Sequence, residues 1–274
     1  MRSNEKAVAK SRRFVAGLLI LFFGGLAGTL TARVAADESS SITVSAAISL
    51  KDSLDEVGHL YATRHPAVKV AFNYGGSGTL QRQIEQGAPV DVFFSAAEKQ
   101  MDDLAAQELV ATETRRDIVA NSLVLITPVS STMVKGFPDL SRSQVSAIAL
   151  GDPGTVPAGM YARQTLEHMG LFATIEKKIV YAKDVRAVLT YVETGNADAG
   201  LVYRTDALTS QKVRVVATAA ADSHDPIVYP AAVLKNSKNA AAARDFVGFL
   251  QGTEARAVFE KYGFAPAEKP AVKN

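Results

Sequence analysis

The chain has no cysteine. That excludes disulfides and a lipid attached at an N-terminal cysteine, so whatever folds here rests on its apolar core alone. Histidine is scarce: His59, His65, His168 and His224 stand in polar helix-surface or loop contexts, and no pair has the spacing of a metal site. There is no repeat of fixed period and no low-complexity tract after the first 36 residues. The glycine-rich stretch Gly75-Gly76-Ser77-Gly78-Thr79 lacks the third glycine of a dinucleotide fingerprint and the Gly-Lys of a phosphate loop. It also has Thr79 where a serine-hydrolase elbow needs its second glycine, which argues against the best enzyme reading, a hydrolase using Ser77.

What is present begins with an export signal. Arg2, Lys6, Lys10, Arg12 and Arg13 precede an apolar run from Phe14 to Leu30, and Val34-Ala35-Ala36 supplies the small residues of a cleavage site. The strongly apolar part, Phe14 to Leu26, is shorter than the about 20 residues of a membrane helix. Residues 1–36 are therefore expected to be a signal peptide, with Ser11-Arg12-Arg13-Phe14 a weak hint of twin-arginine export. The charge balance changes with its removal. The leader holds six Lys or Arg against one Glu, so the formal +2 of the whole chain becomes −3 in the remainder. Nothing in that remainder suggests nucleic acid. A soluble periplasmic monomer fits best.

Apolar periodicity alternates between strand and helix. Ile42 to Ala46 alternates as a strand; Leu50, Leu54, Val57, Leu60 and Tyr61 then share a helix face opened by Ser49, with Ser49 and Asp52 at capping-box spacing. Val68, Val70 and Phe72 form a second strand, followed by a short helix through Leu80 and Ile84 that Gly87 closes. A second set of units starts near Asn121, with Pro157 in a first helical turn, Gly170 and Gly195 as stops, and a late extended run from Ile227 to Leu234 broken at Pro230. Such alternation implies an α/β fold with open, mostly parallel sheets and helices on both faces, whose ligands sit at the carboxyl ends of strands. Two lobes with a cleft between them are expected: residues 37–120 with 231–274, and residues 121–230.

Four segments look like helix starts that follow an apolar run: Ala46-Ala47-Ile48-Ser49-Leu50, Gly75-Gly76-Ser77-Gly78-Thr79-Leu80, Val156-Pro157-Ala158-Gly159-Met160-Tyr161 and Lys183-Asp184-Val185-Arg186. Free N–H groups, serine hydroxyls and close backbone approach suit an oxyanion at such places. Together with Gln83-Ile84-Glu85-Gln86-Gly87-Ala88-Pro89-Val90-Asp91, Gly151-Asp152-Pro153 and Gly200-Leu201-Val202-Tyr203, they make the chain resemble the molybdate-binding proteins of periplasmic ABC importers. The likeness runs from Ile42 to Phe264.

The resemblance implies a two-lobed periplasmic binding protein fold of type II that closes on its ligand like a clamp. It implies a ligand, molybdate or tungstate, held by the hydroxyls of Ser49, Ser77 and Tyr203 and the amides of Ala158 and Val185, with no cofactor, no resident metal and no catalysis. It also implies a permease with its ATPase as partner. Ile48 stands where that family often has a smaller residue. The donor set agrees with elementary chemistry, since a tetrahedral dianion offers acceptors only. On their own, Ser49 and Ser77 would read as helix caps and Tyr203 as a packed core tyrosine. Sulfate is the rival ligand of the same fold. Ferric ion would call for tyrosines, His and carboxylates together, and hydrogen phosphate for an acceptor such as Asp152 or Asp184.

Overall fold

The computed structural model describes residues 40–267. The expected signal peptide lies outside the described residues, as do positions 268–274. In the first half, strand β1 (Ser40–Ala47) runs through a 3-10 turn at Ile48–Leu50 into helix α1 (Lys51–Arg64). Strand β2 (Val68–Gly75) feeds helix α2 (Ser77–Glu85), and β3 (Val92–Phe94) feeds α3 (Glu98–Ala106). After β4 (Arg116–Ala120) the chain crosses to a second sheet at β5 (Leu123–Pro128). There follow β6 (Ile148–Gly151), α4 (Pro157–His168), α5 (Phe172–Ile175), β7 (Ile179–Ala182) and α6 (Val185–Glu193). Strand β8 (Ala199–Tyr203), helix α7 (Arg204–Leu208) and β9 (Val213–Thr218) complete that half. The chain returns through β10 (Val228–Val233), and α8 (Ala240–Leu250), α9 (Thr253–Lys261) and β11 (Ala265–Pro266) finish on the first.

The two sheets have strand orders β11-β4-β10-β3-β1-β2 and β7-β6-β8-β5-β9. The strands that feed the four helix starts pair in parallel, as expected: β1 with β2 and β3, and β6 with β7 and β8. The remaining pairings are antiparallel, because β10 returns against β3 and β4, and β5 lies against β8 and β9, so both sheets are mixed. The expected lobe boundary at residues 230 and 231 falls inside β10, whose Val228 already pairs with Ala120. Pro230 does not break this strand. It sits at a register shift between Tyr229 and Pro230, where a residue without an N–H is tolerated.

Register sets the site. Ala47 pairs with Gly75 at the end of the β1–β2 ladder, so Ser49 and Ser77 each lie two residues beyond the same sheet edge. Gly151 pairs with Ala182 in the second sheet, which brings the starts of α4 and α6 side by side. Helix α4 approaches β6 so closely that a Cβ on Gly159 would lie 2.0 Å from the Gly151 carbonyl oxygen. Gly87 and Gly170 end α2 and α4 at φ of 87° and 67°, a region other residues enter only with strain. The first sheet's core is built on Phe94, Phe246 and Phe259, all buried, with Tyr61 edge-on to Phe246 at 5.1 Å. Each such ring buries surface worth about 1.5–3 kcal/mol, which anchors the helices behind the site.

Candidate functional site

Ser49 lies in the 3-10 turn that β1 leads into and is 4% exposed. It caps nothing: the turn and α1 show no side-chain cap bond, which corrects the expected capping box with Asp52. Its Oγ is instead 3.2 Å from Tyr229 Oη. Ser77 is the first residue of α2, with Gly76 as the capping position, and here too no side chain caps the helix. Ser77 Oγ accepts the N–H of Ala96 at 2.9 Å. That bond occupies a lone pair and leaves the hydroxyl hydrogen free to donate.

The second half contributes main-chain groups. Ala158 is the second residue of α4 and Val185 the first of α6, so neither N–H has an acceptor four residues back inside its own helix. Both residues are buried. Asp184 caps α6 by accepting the N–H of Ala187 at 2.8 Å. Asp152, the other carboxylate nearby in sequence, accepts the N–H of Gly154. Tyr203 ends β8, is 1% exposed, and donates its O–H to the Ala96 carbonyl at 3.3 Å. Burial raises its pKa well above the ordinary tyrosine value, so the phenol keeps its proton.

These five residues line one small cavity, together with Ala47, Ile48, Gly75, Gly76, Ala96, Val156 and Pro157. Among the described residues that line it, no side chain is charged. The N-termini of α2, α4 and α6 converge there, which adds positive partial charge without a cation. Chemically the cavity offers donors. Larger openings lie elsewhere; the groove along α1, α6, α7 and α9 has about 1380 Å³ of free volume but faces solvent and mixes Lys51, Asp52, Arg186, Glu193 and Lys261. No group of three His, Cys, Asp or Glu side chains forms a metal site among the described residues.

The lobes touch beside the cavity. Gly78 N–H donates to the Thr155 carbonyl at 2.9 Å, and Arg186 bridges Asp52 of the first lobe (2.7 Å) and buried Asp206 of its own (2.5 Å). Burial pushes the Asp206 carboxyl up to about 6 against the pull of Arg186, and its Oδ2 has no partner. Sequence reasoning missed Ala96, Thr155, Asn121 and Tyr229. Ala96 and Thr155 act through main-chain atoms, which leave no trace in residue type. Tyr229 sits in the apolar run from Ile227 to Leu234, where nothing in the pattern sets it apart.

The profile of a family described as bacterial extracellular solute-binding protein matches residues 42–265. A putative ABC transporter substrate-binding lipoprotein of Bacillus subtilis, YvgL, is 46% identical over 83% of this chain and 87% of its own. The molybdate-binding protein ModA of Haemophilus influenzae is 40% identical over 83% of this chain and 91% of its own. Among solved structures, the Azotobacter vinelandii periplasmic molybdate-binding protein superposes with a TM-score of 0.75 at 26% identity, covering 83% of this chain and all of that one.

Proposed function

The chain belongs to the bacterial extracellular solute-binding proteins, which bind and do not catalyse, and on that premise we propose that it captures molybdate, and tungstate with it, in the periplasm. It then delivers the ion, as a monomer exported by its N-terminal signal, to an ABC permease and its ATPase. The observation that carries this reading is the lining of the small cavity: Ser49, Ser77, Ala158, Val185 and Tyr203 all reach it and no carboxylate does. A fully deprotonated tetrahedral dianion needs donors on every side, and hydrogen phosphate is best met by a carboxylate acceptor, which this lining does not supply. Hydrogen bonds to a charged acceptor are worth about 1.5–3 kcal/mol each, so the two serines and two amides, joined by Tyr203 once its O–H turns from the Ala96 carbonyl, offset much of the ion's desolvation without a cation. The relatives named for molybdate support the choice of ion, and the absence of cysteine distinguishes this chain from the lipid-anchored relative.

We assign the lobes as residues 40–120 with 228–267, and residues 121–227, since Val228 already belongs to the first sheet. Donors from both lobes meet one ion only when the lobes close, and the closed surface is what a permease reads as loaded. Calorimetry with molybdate, tungstate, sulfate and phosphate tests the reading. Molybdate and tungstate should bind at one site with sulfate and phosphate far weaker. Ligand at about a thousand times its Kd should add about 4 kcal/mol, a melting shift on the order of 10 °C. Heat with sulfate and none with molybdate would sink it.

A further inference from the structure

A serine hydroxyl donates one hydrogen and accepts at two lone pairs, and an anion without a proton rewards only the first. For Ser77 the main chain settles the direction through the Ala96 N–H. Ser49 has Tyr229 Oη at 3.2 Å, a contact in which either oxygen can be the donor. The groups further out decide it. Asn121 Oδ1 accepts the N–H of Ser122 at 2.9 Å, which fixes the amide so that Nδ2 points the other way. Nδ2 donates to Thr205 Oγ1 at 2.9 Å and to Tyr229 Oη at 3.2 Å. With that lone pair taken, the hydrogen of Tyr229 has Ser49 Oγ within hydrogen-bond distance; the Tyr203 hydroxyl also neighbours Tyr229, but it is engaged with the Ala96 carbonyl. Burial raises the Tyr229 pKa well above its ordinary value, so the hydrogen stays in place.

We infer that Asn121 and Tyr229 are positioning residues that set Ser49 as a donor, through hydrogen bonds directed from the Asn121 amide to Tyr229, from Tyr229 to Ser49, and from Ser49 into the cavity. The inference rests on the oxyanion reading of the cavity. It adds a source of selectivity that the lining alone does not reveal: a serine free to turn accepts the hydrogen of a protonated anion, and a serine held by Tyr229 has its own hydrogen committed to the ligand. The pair also sits where the lobes are joined. Asn121 lies between β4 and β5, and Tyr229 on the returning β10, packed between Tyr203 and Phe264 with ring centroids 5.6 Å from each. The direction of Ser49 is thus held from the crossing segments, about which closure takes place.

The test is calorimetry with molybdate and with inorganic phosphate on the parent, Tyr229→Phe, Asn121→Asp and the double variant, each checked for ligand-free melting. Asn121→Asp keeps the shape and the acceptor for Ser122 but replaces the donating Nδ2 with an oxygen. Tyr229 then donates to the new carboxylate, and Ser49 turns its hydrogen to Tyr229 and its lone pairs to the ion. Molybdate should bind about 100-fold more weakly, from the lost donor and the facing lone pairs. Tyr229→Phe keeps the packed ring and should cost about tenfold or less, with the preference for molybdate over phosphate narrowed in both variants. In the Tyr229→Phe background, Asn121→Asp should cost only a few-fold, because the link is cut. An equal cost of Asn121→Asp in both backgrounds means the carboxylate acts through space, and overturns the inference. So does a Tyr229→Phe variant with unchanged selectivity. A parent chain that takes no molybdate overturns the functional reading itself, which the parent titration reports separately.

Discussion

Replacing Gly78 with alanine should weaken the ligand while leaving the fold intact. A Cβ at this position would lie 2.8 Å from both the Cα and the carbonyl oxygen of Thr155 in the other lobe. Unstrained contacts need about 3.5–4.0 Å, so the lobes must part by roughly 1 Å at that point. Thr155 precedes the start of α4 by two residues, and a displacement of that size carries the N–H of Ala158 beyond hydrogen-bond reach of an ion held by Ser49 and Ser77. The inter-lobe bond from Gly78 N–H is also lost. A lost bond of about 0.5–1.5 kcal/mol and overpacking of about 1–3 kcal/mol give about 1.5–4.5 kcal/mol against the closed state, or about 10- to 2000-fold in Kd. In the ligand-free protein with its lobes apart, the same substitution removes a helical glycine and should raise stability by about 0.5–1 kcal/mol. The two signs are opposite. Calorimetry with molybdate and scanning calorimetry with and without it measure both. An affinity within threefold of the parent, or a ligand-free melting point that falls in step with the affinity, would refute the wedge.

The order of elements and the places where ligand meets backbone were legible in the sequence because they are local. Apolar periodicity located β1, β2, α1 and α4, and glycine stops closed α2 and α4 where the backbone turns to positive φ. Strand direction was not local. That β10 runs against β3 and β4, and β5 against β8 and β9, follows from where the crossings lead, and no alternation within a strand encodes it. Short elements such as β4 and the edge strand β11 carry too few residues for a period to show. At the site, Ser49 and Ser77 stood out through their residue type, but cap preference explained them equally well. The structure separates the two by the partners: both hydroxyls face Tyr229 or Ala96 from other parts of the chain, and neither bonds its own helix. Those partners are 180 and 19 residues away, which is why the sequence named the donors and not what holds them.

Two further outcomes follow from individual contacts. Ser77→Ala should lower molybdate affinity about 10- to 150-fold and also lower ligand-free stability by about 1–3 kcal/mol, because the buried N–H of Ala96 loses its acceptor; Ser49→Ala should likewise cost both affinity and stability, since the buried hydroxyl of Tyr229 loses its partner. A variant of either kind with unchanged ligand-free stability, by denaturant titration, would contradict this. The last outcome concerns pH and Asp206, whose buried carboxyl is pushed up to about 6 from the ordinary 3.8, chiefly by burial. A carboxyl whose folded value is raised adds stability that is fully present below about 3.8 and is lost as pH rises through about 6. Between pH 7 and pH 5 the ligand-free protein should therefore gain about 1.4 kcal/mol from this group, a rise of about 3–6 °C. Asp55 and Asp198 are shifted the other way, by Lys51 and Tyr74 and by the amides of Ala147 and Ser146 against the cost of burial, so their loss of stability begins only near and below pH 4. Glu98, raised by burial and by Asp117, adds to the same rise, so the readout is the difference between the parent and Asp206→Asn. The variant carries a neutral group at every pH and should show a flatter profile over that window. If its melting temperature climbs from pH 7 to pH 5 as steeply as the parent's, Asp206 is not the titrating group beneath the Arg186 bridge.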